Sequence, residues 1–227
     1  MSDVPAVAQQ RIASARTRTI GTWALGGVAV FALVAIAMQF LRTDLDFVRA
    51  TLSFYLLGPL GLWLQLAYVG LAMSLALIGA GYYGAAGRDG RSAVALCLFL
   101  VGAIGVAVTA WAETDRGGPA AMTMAAKIHA ISAPLAFLGT TLGMLWQSWA
   151  FRRDPRWRRH FALAFGLAAF CFVALWLHAL WRDLPRGLSQ KVVIAAIAVW
   201  LMLAAHWLRR TPSSGQDLSI SYGTKLK

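Results

Sequence analysis

Asp115, Lys127 and His129 lie close together around the start of one long apolar run, and His178 lies near the end of another. A lysine can pair with an anion. Aspartate and imidazole can orient it through hydrogen bonds, and imidazole titrates nearest neutrality, so His129 is the best general base on offer. Asp46, Ser53 and Tyr55 sit in a short polar stretch that can approach the same level. Ser53 carries a hydroxyl, but no glycine-flanked elbow surrounds it to make it a nucleophile. Ionisable groups inside a membrane span are costly and face a cavity or a partner. The candidate ligand-binding residues are therefore Asp46, Ser53, Tyr55, Asp115, Lys127, His129 and His178, converging on one polar pocket. The competing reading makes them solvated interfacial groups paired for structure. No catalytic set and no cofactor is specified; the expected ligand is a lipid-like or small amphiphilic molecule.

The elements that must position them follow from composition. Of 227 residues, 59% are hydrophobic and 13% charged, against about 45–50% and about 25% in an ordinary soluble domain. Mean hydropathy is +0.63. A disordered chain, a collagen-like chain, a disulfide-knotted miniprotein and a water-soluble globule are excluded. A helix needs about 20 apolar residues to cross about 30 Å of hydrocarbon. Six runs qualify: Ile20–Leu41, Leu60–Tyr83, Ser92–Trp111, Thr123–Trp149, His160–Trp181 and Val192–Leu208. They lack the alternation of a membrane strand, so helices remain.

The fold expected is all-α, a six-transmembrane-helix bundle with a short amphipathic interfacial helix in the first outer loop. Leu45, Val48, Leu52 and Leu56 recur there at helical spacing, and Gly58-Pro59 turns the chain into the second span. Residues 1–19 are expected to be a cytoplasmic N-terminal segment, 20–208 the membrane domain and 209–227 a flexible cytoplasmic tail.

The net charge of +12 does not point to nucleic acid, because no basic stripe with interleaved aromatics exists. With both termini inside, 14 of the 21 Lys and Arg residues are cytoplasmic, as the positive-inside rule requires. The densest cluster, Phe151–Arg159, would rest on anionic headgroups. The first run is longer than a signal-peptide core, so a retained anchor is expected. Trp23, Trp63, Trp111, Trp149, Trp181 and Trp207 fall near span ends as an aromatic belt, and glycines such as Gly102 and Gly105 suit close helix packing. Cys97 and Cys171 form no disulfide framework. Arginine outnumbers lysine 17 to 4, which suits a GC-rich bacterial source and hence the bacterial cytoplasmic (inner) membrane. Membrane lipids are the expected partners, with another membrane protein subunit as a second partner class.

Other functions fit the pattern less well. A structural or assembly subunit of a membrane complex needs no chemistry. A bis-histidine haem electron carrier would use His129 and His178 at one level and His160 and His206 at the other. A zinc site would use Asp115, His129 and His178, without the usual ligand spacing.

The stretch Asp44–Gly61, with Ser53, Tyr55, Gly58, Pro59 and Gly61, resembles the S-x-Y-x-x-G-P-x-G-like segment of the DUF998 family. Thr114-Asp115 is similar to that family's P-T-D-like element, and His129 to its G-x-x-H-like histidine. Gly187-Leu188-Ser189-Gln190-Lys191 before Trp200 resembles its late G-L-x-E-R segment. Ala126 and Gln190 depart from the family's glycine and glutamate. The resemblance spans about residues 20–210 and implies a prokaryotic multi-pass membrane protein, with no reaction attached.

Overall fold

The structure, a computed structural model, describes residues 6–115 and 122–210. The expected tail beyond Arg210 and residues 116–121 of the second inter-helix segment lie outside the described residues.

Six helices carry the chain back and forth: α1 (Ala6–Leu41), α2 (Gly61–Ala85), α3 (Ala93–Trp111), α4 (Met124–Phe151), α5 (Phe161–Leu180) and α6 (Arg186–Arg209). All six are long and apolar enough to span a bilayer, and there is no strand among the described residues. Each helix packs on the next in chain order, α6 closes the ring against α1, and α2 also reaches across to α6.

Two boundaries differ from expectation. α1 starts at Ala6, so the polar stretch before Ile20 continues the membrane helix. Its alanines are strong helix formers, and the hydroxyls of Thr17, Thr19 and Thr22 donate to carbonyls one turn earlier. α6 starts at Arg186 rather than near Val192. Gln190 and Lys191 thus sit in the first turns of a helix rather than in a loop.

Small residues allow close helix contact. A Cβ on Gly105 would lie 2.6 Å from Ala136 N, and one on Gly139 2.7 Å from Gly102 N, so α3 and α4 touch backbone to backbone. Two long-range bonds cross the interior. Tyr82 Oη donates to Ala204 O at 2.8 Å, and Trp200 Nε1 donates to Ala164 O at 2.9 Å. Trp63, Trp111, Trp149 and Trp181 are exposed at helix ends, Trp23 is exposed midway along α1, and Trp207 is partly covered.

The first inter-helix loop is not an amphipathic interfacial helix. Only a five-residue 3-10 turn, Leu52–Leu56, forms, and its Leu52, Tyr55 and Leu56 point into the protein. The Val48 carbonyl and Leu52 amide that a helix would pair bond instead to Leu188 N and Gln190 Oε1 of α6. Asp46 accepts from the amides of Val48 (2.7 Å) and Arg49 (2.9 Å). Arg42, buried, pairs with Asp44 and donates to Leu57 O (2.6 Å) and Pro59 O (3.2 Å). Gly58 turns the chain at φ +73°, as its position before Pro59 predicts.

The opposite end of the bundle carries the Phe151–Arg159 connection. It is packed as well as charged. Tyr82, Phe151 and Trp157 form an aromatic cluster. Asp154 is clasped by Arg156, which also donates to Ala85 O at 2.7 Å. Burial raises the Asp154 carboxyl, but the Arg156 side chain, backbone and charge, with the Gly87 amide, outweigh it and hold the group below its ordinary value.

Candidate functional site

Three chain segments meet at the end of the bundle away from Phe151–Arg159: the first loop, the start of α4 and the start of α6. The loop and α6 are stitched together. Leu188 N donates to Val48 O (2.9 Å), Leu52 N donates to Gln190 Oε1 (2.8 Å), and Lys191 Nζ donates to Phe47 O (2.7 Å). The Lys191 ammonium also lies 4.4 Å from the Phe47 ring centre and 4.9 Å from that of Tyr55. Gly187 must be glycine, because a Cβ there would strike Ala50 O.

Below this junction runs a central cavity of about 70 Å³. Its rim carries Ser53, His129 and Gln190; its walls are chiefly Leu71, Leu75, Phe137, Ile194, Ile197 and Leu201. Tyr68, Thr109 and Thr140 add hydroxyl-bearing residues to the wall. The lining spans His129 to Thr140 on α4 and Gln190 to Leu201 on α6, each about 16 Å at 1.5 Å per residue. That equals roughly half the hydrocarbon thickness of a bilayer.

His129 Nδ1 is 2.8 Å from Ala112 O. A carbonyl only accepts, so Nδ1 is the donor and Nε2 is the ring nitrogen left for the cavity. Ser53 Oγ is 2.9 Å from Thr51 Oγ1. Gln190 is oriented by chemistry: Leu52 N–H needs an oxygen, so the NH2 half of the amide is left for the cavity side.

A second cavity of about 350 Å³ lies between α4, α5 and α6. Pro134, Leu138, Leu175 and Trp176 line it, with His178 and Arg186 at its polar end. Ala133, Phe137 and Gln190 belong to both cavities, so the two are neighbours across a thin wall. His178 Nδ1 is 2.8 Å from Ser189 Oγ, whose one proton goes to Pro185 O at 2.8 Å. His178 Nδ1 is therefore the donor, as in His129.

The candidate residues divide. Ser53 and His129 line the central cavity, and His178 lines the second. Tyr55 is fully buried beside Lys191 and lines neither; burial pushes its phenol up. Asp46 is an exposed turn-former held below the ordinary carboxylate value by the amides of Arg49 and Val48. Asp115 accepts from Thr123 N (2.8 Å) and Thr123 Oγ1 (3.0 Å), which fastens the start of α4 rather than facing a cavity. Lys127 is exposed and borders neither space.

Gln190, Arg186 and Lys191 were missed as site residues because their segment reads as a loop. The signal available was Pro185, which suits the head of a helix that runs on into the apolar stretch. Asp115, His129 and His178 do not form a metal cluster; among the described residues no three His, Cys, Asp or Glu groups come together. At the other end, the His160 ring lies flat on Trp207 at 4.3 Å, and His206 Nδ1 faces Arg209.

The loop motif now has a physical account. Ser53 reaches the cavity, Tyr55 fills the junction, Gly58 takes the left-handed turn, and a Cβ on Gly61 would strike Leu56 O. No curated protein and no solved structure matches this chain. A family profile described as "Protein of unknown function (DUF998)" matches residues 11–207. The chain is thus a multi-pass membrane protein and belongs to the DUF998 family.

Proposed function

We propose that the protein binds and handles a lipid-like amphiphile, head at the Ser53–His129–Gln190 rim and chain in the central cavity. One observation carries this reading: a narrow, largely apolar cavity half a bilayer deep, with the His129 imidazole, the Gln190 amide and Ser53 at one end. His129 meets a hydroxyl-bearing head through Nε2, and Gln190 donates to it.

The reading takes the Phe151–Arg159 end as cytoplasmic, on the 14-of-21 bias of basic residues. The rim then faces the outer leaflet of a bacterial inner membrane, with both termini inside. Reporter fusions at residues 152–159 test this; an external signal there reverses the orientation.

The binding test is native mass spectrometry of the full chain extracted in mild detergent. The expected result is an amphiphile adduct that disappears in Ile197→Phe, which fills the cavity, and weakens in His129→Ala. No adduct on the wild type, or an adduct unaffected by Ile197→Phe, overturns the reading.

A further inference from the structure

The second cavity is five times larger than the central one (350 against 70 Å³) and shares Ala133, Phe137 and Gln190 with it. Most of its surface is hydrocarbon, and Trp176 and its neighbour Leu177 on α5 are exposed on the outside of the bundle. Pro134 lies in its α4 wall. Proline has no N–H, so the Ala130 carbonyl one turn earlier loses its helical partner at this level.

The polar end of this cavity is cationic. Arg186 donates through Nη1 to His178 O, which tethers the guanidinium at the mouth. Among the described residues the other N–H groups of the fork have no hydrogen-bond partner, and no carboxylate forms an ion pair with Arg186. His178 is held by Ser189 through Nδ1, so its Nε2 is the nitrogen left for a ligand. Gln190 adds an amide from the wall shared with the central cavity. A guanidinium fork beside an imidazole and an amide matches a phosphate better than a neutral head.

We propose that the cavity between α4, α5 and α6 is a lateral binding site for an anionic phospholipid of the surrounding bilayer. Its phosphate sits on Arg186, and one acyl chain lies along Leu138, Leu175 and Trp176. Phe137 and Gln190 separate this lipid from the central cavity and are the side chains that must move for a chain to pass inward. The inference deepens the amphiphile reading above and rests on it for that passage, while lateral binding itself is measured separately.

The test uses the full chain in mixed micelles containing equal amounts of phosphatidylglycerol and phosphatidylcholine, read by native mass spectrometry. The wild type is expected to retain phosphatidylglycerol preferentially. Arg186→Gln lowers that retention roughly tenfold, the equivalent of about 1.4 kcal/mol. Arg186→Lys restores part of it, and Arg182→Gln on the neighbouring exposed loop leaves it unchanged. Leu138→Trp, which fills the cavity from its apolar side and spares Arg186, also lowers it. A thermal melt on each variant separates lost binding from lost fold. Equal retention of the two lipids by the wild type overturns the proposal. So does full retention in folded Arg186→Gln and Leu138→Trp. If Ile197→Phe removes an adduct that Arg186→Gln leaves intact, the lateral site falls and the central reading stands. If Arg186→Gln alone removes phosphatidylglycerol, the lateral site stands whatever occupies the centre.

Discussion

Gln190→Leu removes the acceptor of the Leu52 amide, and Leu52 is 2% exposed. Water cannot replace that acceptor without opening the junction between the first loop and α6. An orphaned buried N–H costs about 1–3 kcal/mol, or about five- to 150-fold in the folding equilibrium. For a chain of this size that corresponds to a fall of about 2–12 °C in melting temperature. Gln190→Glu is the discriminating partner. A carboxylate accepts from the same amide at least as strongly, so its melting temperature at neutral pH is expected to match the wild type. It removes the NH2 group from the cavities and sets a negative charge beside Arg186, so phosphatidylglycerol retention should fall while stability holds. The assay is thermal unfolding in detergent with site-resolved hydrogen exchange at Leu52. Exchange at Leu52 should rise in Gln190→Leu alone. If Gln190→Glu melts as low as Gln190→Leu, or if Leu52 exchange stays unchanged in Gln190→Leu, the stitching argument is wrong.

Gly105→Leu should separate α3 from α4, because even its Cβ would lie 2.6 Å from Ala136 N; overpacking of about 1–3 kcal/mol is expected in a denaturation series. Arg42→Met leaves the carbonyls of Leu57 and Pro59 without their donor. It should cost about 1–3 kcal/mol and make the loop protease-sensitive. Tyr82→Phe deletes one interhelical bond to Ala204 O, and a loss of about 0.6–1.7 kcal/mol in unfolding free energy checks it. Asp154 has a depressed folded-state value, so the stability it adds is present above its unfolded value, about 3.9, and is lost as pH falls through the lower folded value. Melting temperature should therefore drop on acidification below about pH 4, and Asp154→Asn should flatten that drop.

Chain-local physics made the spans legible. Apolar runs of bilayer length, with Trp at their ends and Arg between them, specify six helices whatever their neighbours do. The turn at Gly58-Pro59 was equally local, because a left-handed φ favours glycine, although Leu60 takes one as well at +66°. The interfacial helix gives way to a partner from outside the loop. Leu45, Val48, Leu52 and Leu56 keep helical spacing, but the Val48 carbonyl and Leu52 amide that a helix would pair are taken by Leu188 and Gln190 of α6.

Which polar residues share a cavity was beyond the sequence. Asp115 and His129 both sit near the start of α4, yet one fastens Thr123 and the other faces the central space. Gln190 is far from Leu52 in the chain and meets it only because α6 closes the ring beside the first loop. Helix length and membrane burial are set by hydropathy summed along the chain. The choice of which face each helix turns inward is set by packing among all six, and that is decided only when the ring closes.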